Sequence, residues 1–117
     1  MDYKELEVWK AGIELVIEVY KVTKKFPKYE QYNLSSQMRD AGVSIPSNIA
    51  EGSSRNSYKD YHRFVEIAYG SCCELETQAI IAEEVGYLVS NNLFEKIEKQ
   101  KKLLNGTKRY LKTKFKN

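Results

Sequence analysis

Apolar residues recur at steps of three and four positions through four segments of the chain, which is the spacing of one face of an α-helix. Charged side chains occupy most of the positions between them. The predicted apolar stripes are Leu6, Trp9, Ile13, Val16, Ile17 and Tyr20; Leu34, Met38, Ala41, Ile45 and Ile49; Tyr61, Phe64, Ala68, Cys72, Leu75, Ala79, Ala82, Val85 and Val89; and Leu93, Ile97, Leu104 and Leu111. The pattern therefore predicts four amphipathic helices.

Turn-forming residues separate these segments at three places. They lie at Phe26-Pro27 through Asn33, at Gly52 through Ser57, and at Ser90 through Asn92. Short connections favour neighbouring helices that run in opposite directions. We therefore predict an all-α fold, an antiparallel up-down four-helix bundle that forms a single domain over residues 1–117.

Pro46 is the difficulty in the second segment. Inside a helix it removes the hydrogen bond to the carbonyl of Gly42 and costs about 3 kcal/mol. Gly42 could leave space for the proline ring, and Ser44 and Ser47 could satisfy freed backbone groups. We predict a kinked but continuous helix over residues 33–52 that opens with Asn33 as its N-cap. A break at Ile45 is the alternative.

The third segment is predicted to be the longest helix. Ser57 can cap its N-terminus, with Asp60 three residues later, and the apolar stripe continues without interruption to Val89. Gly70 and Gly86 would each cost about 1 kcal/mol relative to alanine inside this helix. We expect a neighbouring helix to approach closely at both glycines.

The net charge of the 117 residues, +3, hides an asymmetry. Residues 96–117 contain nine basic residues and one acidic residue, a net charge of +8, whereas residues 1–95 carry −5. Such a segment is typical either of a solvated helix face or of a surface for an anionic partner. Nine tyrosines exceed what a small bundle core can bury, which favours a homo-oligomer with tyrosines at its interface.

No group of residues indicates catalysis. His62 is the only histidine, and the residue three positions before it is Lys59, so the Glu-x-x-His pattern of bundle metal sites is absent. Cys72 and Cys73 point about 100° apart on a helix, and one of them is expected in the core and the other at its boundary. We predict that the protein is not an enzyme and uses no cofactor or metal.

The two adjacent cysteines cannot join distant segments, which favours a reduced, cytoplasmic protein. No stretch approaches the roughly 20 apolar residues of a membrane span, and the charged N-terminal residues do not resemble a signal peptide. No membrane partner is expected.

One polar string, Ser44 through Gly52 (SIPSNIAEG), surrounds Pro46. These groups either repair the backbone near the proline and cap the following turn, or contact a partner; the first reading is favoured because proline leaves groups that need local hydrogen bonds. With Leu6 through Ala11 (LEVWKA), Leu34 through Arg39 (LSSQMR) and Glu74 through Gln78 (ELETQ), the string closely resembles the 23S ribosomal RNA intervening-sequence proteins. The resemblance extends over about residues 3–112.

That resemblance implies a left-handed four-helix bundle that assembles into a ring-shaped homopentamer, in a bacterial family without established catalytic activity. A related branch serves as the accessory protein of diversity-generating retroelements. Family members often have a second basic residue where this chain has Asp40, and an alanine where it has Gly42. An anion contact at position 40 is therefore not expected here.

Two functions follow as hypotheses. The first is an RNA-binding or other nucleic-acid-binding protein whose basic side chains contact phosphates. The candidate contacts are Lys108, Arg109 and Lys112, followed by Lys101, Arg55 and Arg63. The second is a protein-interaction module in which the basic surface docks on an enzyme such as a reverse transcriptase.

Overall fold

A computed structural model describes residues 2–115 and confirms the all-α class and the number of helices. The helices are α1 (Glu7–Thr23), α2 (Leu34–Ser53), α3 (Tyr58–Glu84) and α4 (Asn91–Phe115). Two short 3₁₀ turns, Tyr3–Glu5 and Lys28–Glu30, precede α1 and α2. No β-strand is present between residues 2 and 115. The predicted domain extends to residues 1, 116 and 117, which lie outside the described part.

The packing of the helices is that of a bundle. Each helix contacts its neighbours in the sequence, and α1 also packs against α4, in a body of 49 × 21 × 19 Å. The largest fully buried side chains come from all four helices: Leu15, Met38, Ile45, Ile49, Leu75, Leu93, Ile97, Leu104, Leu111 and Gln100. None of the helices in residues 2–115 is long and apolar enough to cross a membrane.

The predicted buried face of α1 is wrong. The core side of this helix consists of Val8, Ala11, Leu15, Val19 and Val22. Members of the predicted stripe are partly buried at best, and Ile17 and Tyr20 are about half exposed, at 51% and 46%. Both stripes have helical spacing, so periodicity alone could not decide between them. α1 therefore has a second apolar face that points away from the core.

Helix α2 continues through Pro46, as predicted, and the alternative break at Ile45 is excluded. Asn48 donates its side-chain N–H to the carbonyl of Ser44 at 2.8 Å, and the Ser44 and Ser71 hydroxyls are hydrogen-bonded at 2.8 Å. The space for the proline ring comes from Gly12 of α1, where an added Cβ would lie 3.3 Å from the Pro46 Cβ. The predicted role of Gly42 is wrong, since this glycine faces α1 at Val16 and Val19 instead.

Helix α3 begins as predicted but ends earlier. The Ser57 hydroxyl accepts a hydrogen bond from the Asp60 N–H at 3.1 Å, which is the expected N-cap. The helix ends at Glu84 rather than near Val89, because Gly86 adopts a φ of +98° and the Tyr87 N–H bonds the Ala82 carbonyl. This is the Schellman arrangement, which favours glycine at that position.

The expected close approaches at Gly70 and Gly86 are wrong, since apart from the adjoining backbone no atom of residues 2–115 lies within 4 Å of where their Cβ would be. The N-terminus of α2 also differs in detail. Asn33 lies at the predicted cap position, but its side chain donates to the Tyr29 carbonyl and does not cap the helix.

Candidate nucleic-acid interface

A polar cleft of about 870 Å³ opens at one end of the bundle, between the α2–α3 loop, the first two turns of α3 and the last turns of α4. We call it the end cleft. It collects three of the six predicted contact residues from distant parts of the sequence. Its lining residues are Ser54, Arg55, Asn56, Ser57, Lys59, Asp60, His62, Arg63, Glu66, Lys112 and Phe115.

Short-range hydrogen bonds shape the loop on which the end cleft is built. The Ser53 and Ser54 hydroxyls donate to the carbonyls of Ala50 and Glu51 at 2.7 and 2.6 Å, which satisfies groups at the end of α2. Beside them, a Cβ on Gly52 would lie 2.7 Å from the Phe64 Cβ. Because Gly52 has no side chain, α2 and α3 approach closely here, and the loop of residues 54–57 is enough to connect them.

Arg55 and Arg63 are held in place by acidic and aromatic neighbours. Arg55 donates to Glu51 at 2.6 Å, and the Arg63 Nε donates to Asp60 at 3.0 Å. Both guanidinium groups lie against the Phe64 ring, with their Cζ atoms 4.7 and 4.5 Å from its centroid. These contacts fix the orientation of the two cations at the mouth of the cleft while the side chains stay substantially exposed.

The other two cations of the end cleft, Lys59 and Lys112, form no ion pair or side-chain hydrogen bond with any residue from 2 to 115. Lys59 lies in the first turn of α3, where backbone N–H groups have no partner inside the helix. The N-terminus of the helix also favours a negative charge at this point. The cleft thus offers an anion two lysines that have no acidic partner among the described residues.

His62 forms part of the inner wall of the cleft and is 6% exposed. Its Nδ1 lies 3.5 Å from a Glu66 oxygen, and its ring packs edge-on against Phe115 at 5.3 Å. The Nε2 atom is buried without a hydrogen-bond partner in the described part of the chain. His62 thus joins α3 to the last turn of α4 on this side of the molecule.

The remaining three predicted contacts lie on α4 outside the cleft. The Lys108 Nζ is 4.0 Å from the centroid of the Tyr69 ring, so this lysine is held against α3. Arg109 is exposed and makes no ion pair within residues 2–115. Lys101 bonds Glu76 at 3.1 Å and lies 3.9 Å from Glu98, and its side chain is only 23% exposed. The hydrogen bond to Glu76 raises the pKa of Lys101. Lys101 is therefore already engaged in an ion pair between α4 and α3.

Sequence reasoning missed Lys59, His62 and Phe115 as parts of this site. One signal was available, since Lys59 and Arg63 are four residues apart and share a helix face. The contribution of Phe115 depends on how α4 packs against α3, and no spacing in the sequence shows that.

The cysteines behave as predicted. Cys72 is buried in the core and Cys73 lies at its boundary, and both are free. Burial raises the pKa of the Cys72 thiol to about 12, so it is an unreactive core residue. Between residues 2 and 115 no three His, Cys, Asp or Glu side chains are grouped so that they could hold a metal ion.

A family model described as 23S rRNA-intervening sequence protein matches residues 4–106. The chain belongs to this family. The match spans α1, α2, α3 and most of α4, so the resemblance predicted from the sequence is confirmed. Three cations of the end cleft, Arg55, Lys59 and Arg63, lie within the matched residues. The fourth, Lys112, lies beyond them.

The fold is also similar to a solved structure, a protein with unknown function from the S23 ribosomal protein family of Bacteroides thetaiotaomicron VPI-5482. The two chains share 20% sequence identity with a TM-score of 0.66, and the similarity covers 94% of this chain and 99% of the other. At this identity the similarity supports the fold only. No curated protein matches the chain.

Proposed function

We propose that this protein is a non-catalytic nucleic-acid-binding protein whose end cleft contacts the phosphates of RNA. The observation that carries the proposal is the convergence of four cations, Arg55, Lys59, Arg63 and Lys112, on one cleft. Two acidic residues line the same cleft, and one of them, Asp60, orients Arg63. The site therefore keeps an excess of positive charge, with two lysines available to a ligand.

This arrangement suits the backbone of a nucleic acid better than its bases. Lysines contact phosphates as mobile point charges, and guanidinium groups can bind phosphate oxygens in a bidentate manner. Contacts of this kind position a nucleic acid without reading its sequence. Binding should therefore be strongly salt-dependent and weakly sequence-specific.

The bundle that presents this cleft is proposed to be antiparallel and left-handed. The hydrogen bonds from Ser90 to Glu18 and from Gln100 to Val8 support opposite directions for α1 and α4. The pairs Lys101–Glu76 and His62–Phe115 support the same relation between α3 and α4.

The protein is further proposed to self-associate, as a ring of five chains. The second apolar face of α1 supports association, because a helix that is apolar on two sides needs a second surface to cover it. Ile13, Val16, Ile17 and Tyr20 contribute to this face, and Val43 of α2 lies beside it with 42% exposure. Light scattering on the purified protein tests this proposal, and a monomer would contradict it.

The proposed setting is the reducing bacterial cytoplasm. Two neighbouring free cysteines support it, since neither has a partner for a disulfide that would join distant segments. The absence of catalysis is likewise part of the proposal.

The decisive experiment compares charge removal at the two ends of the bundle. Lys59, Arg63 and Lys112 are replaced together by glutamine, and a matched variant replaces Lys21, Lys24 and Lys25, which are exposed at the far end of α1. Affinity for a single-stranded RNA is measured by fluorescence anisotropy over a range of salt concentrations. We expect the first variant to lose at least tenfold in affinity, with a log–log salt slope shallower by about 2, since each lost phosphate contact removes about 0.7.

The matched variant should lose far less than the cleft variant. An equal loss in both would show that only net charge matters and would overturn the assignment to the end cleft. If wild-type protein does not bind RNA in a salt-dependent manner, the nucleic-acid function itself is wrong. The protein-interaction role predicted from the sequence would then be the remaining hypothesis.

A further inference from the structure

A second opening flanks α4 on the side away from the end cleft. This groove of about 470 Å³ lies between the start of α1 and the last turns of α4. Its walls are mainly apolar and aromatic, formed by Leu6, Val8, Leu103, Leu111, Tyr61 and Tyr110, with Glu7, Lys102, Gly106 and Thr107 completing the lining. The volume falls within the roughly 300–1,000 Å³ typical of small-molecule sites. We call it the tyrosine groove.

Gly106 lines the groove in the middle of α4. A glycine here costs the helix about 1 kcal/mol relative to alanine. No other helix of residues 2–115 packs against it, since apart from the adjoining backbone the nearest atom to an added Cβ is the Arg109 Nη2, at 3.9 Å. The glycine leaves the groove open, and no packing contact with residues 2–115 accounts for its presence.

The two tyrosines equip the groove for a flat, partly polar ligand. Tyr110 is 57% exposed at its edge, and the Lys114 Nζ lies 5.2 Å from the centroid of its ring, so a base can stack on the part of the ring that Lys114 does not cover. Tyr61 is half-buried, its hydroxyl makes no hydrogen bond within residues 2–115, and burial raises its pKa. The hydroxyl thus stays protonated and can donate or accept a hydrogen bond in a site whose lining is mainly apolar.

The groove is lined by one acidic residue, Glu7, and one basic residue, Lys102, and further cations lie nearby on α4. Lys102 is one of the lining residues, and Arg109 lies beside Gly106. Both are exposed and form no ion pair with the described residues. The end cleft lies across the same turns of α4, where Lys112 follows Leu111. Cations on α4 therefore outnumber the single carboxylate, Glu7, beside the groove.

We propose that the tyrosine groove receives an unpaired nucleobase of single-stranded RNA, while the neighbouring cations hold its phosphates. This inference rests on the proposed nucleic-acid function and specifies its ligand. Stacking of bases on aromatic side chains beside a positive track is the usual recognition mode for single strands. In a duplex, a base would first have to leave the stack and its partner, so a duplex should not occupy the groove.

The first test compares three probes with equal numbers of phosphates: an oligouridylate, a perfect RNA duplex and an abasic strand. We expect the oligouridylate to bind about tenfold more tightly than the abasic strand, since one stacked base contributes on this scale. Equal affinity for all three probes would overturn the base-binding groove, yet it would leave phosphate binding at the end cleft intact. No binding of any probe would instead contradict the proposed function.

The second test fills the groove with the substitution Gly106→Leu. Gly70→Leu is the matched control, because Gly70 is also within a helix and lines neither opening. Apart from the adjoining helix backbone, no atom of residues 2–115 lies within 4 Å of its Cβ position. Neither position has a positive φ, so both should accept leucine without loss of thermal stability. We expect Gly106→Leu to lose about tenfold in affinity for the oligouridylate and to keep its affinity for the abasic strand.

The control Gly70→Leu should keep the affinity of the wild type for both strands. Loss of affinity for the abasic strand in Gly106→Leu would mean that leucine disturbs the phosphate contacts, which overturns the inference. So would unchanged binding of the oligouridylate with a smaller oligomer in sedimentation, because the groove would then hold a second copy of the chain.

Discussion

The two ends of the bundle use aromatic and polar side chains in different ways. At the end formed by the α1–α2 and α3–α4 connections, Tyr87 donates to Glu30 at 2.6 Å and is hydrogen-bonded to Tyr29 at 2.9 Å. Its ring packs on Phe26, with 5.1 Å between the centroids. The hydrogen bond to Glu30 raises the pKa of Tyr87 above its ordinary value. We call this the paired end, because its polar side chains bond one another.

At the end that contains the cleft and the tyrosine groove, several polar groups have no partner in the described part of the chain. Lys59, Lys112 and the Tyr61 hydroxyl are among them. Groups that pair with one another inside the chain stabilise the fold, whereas groups left without partners are available to a ligand. The first end therefore contributes to stability, and the unpaired groups of the second end support the binding role proposed for it.

The largest effect on stability is expected at the paired end, where Tyr87 bonds Glu30. Phe26 is 7% exposed and closes the core next to the Tyr87 ring. Phe26→Ala should lower the free energy of unfolding by about 3–5 kcal/mol, since it removes a buried ring and leaves a cavity. Denaturant unfolding measures this loss. RNA affinity of the folded fraction should not change. A change in affinity without loss of stability would show that Phe26 serves binding and not the fold.

A smaller effect is expected where α2 meets α3 beneath the end cleft. A Cβ at Gly52 would lie 2.7 Å from the Phe64 Cβ and 3.0 Å from Tyr61 Cδ1, so Gly52→Ala must push the two helices apart. We expect a loss of about 1–3 kcal/mol from this overpacking. The control Gly70→Ala has open space and should raise stability by about 0.5–1 kcal/mol. Denaturant unfolding measures both changes in the free energy of unfolding. Changes of opposite sign would confirm that Gly52, and not Gly70, is required for packing.

The smallest effect is expected at Lys101, which was predicted to contact nucleic acid. Its ammonium group is already paired with Glu76 and lies near Glu98. Lys101→Met should cost less than about 1 kcal/mol of stability, as partly exposed ion pairs usually do. RNA affinity should stay within about twofold of the wild type, far less than the loss expected from the end cleft. An affinity loss as large as that of the cleft variant would show that Lys101 contacts RNA, as the sequence predicted.

The sequence predicted the elements of the fold better than their faces. Helix number, the continuity of α2 through Pro46 and the Ser57 cap depend on local spacing and capping, and all three are confirmed. The buried face of α1 was predicted wrongly because this helix carries two apolar stripes of the same period. The end of α3 was placed near Val89, whereas the helix ends at Glu84 because the backbone of Gly86 adopts a positive φ.

The candidate site shows the same division. Basic residues could be counted along α4, but their availability depends on partners that the sequence does not display. Lys101 is paired with Glu76, 25 residues away, and Lys112 forms one cleft with Arg55 and Lys59. Glycines were assigned roles from helix propensity alone, and the close contacts lie at Gly12 and Gly52 instead of at Gly70 and Gly86.

The sequence by itself determined the all-α class, the family and the excess of positive charge near the C-terminus, because these depend on composition, short-range periodicity and a distinctive string of residues. Only the tertiary structure decided which apolar stripe of α1 is buried, which cations lack a partner and where two openings flank α4. These features arise from contacts between segments that are far apart in the chain. Their formation depends on how all four helices pack together, and no local pattern encodes that.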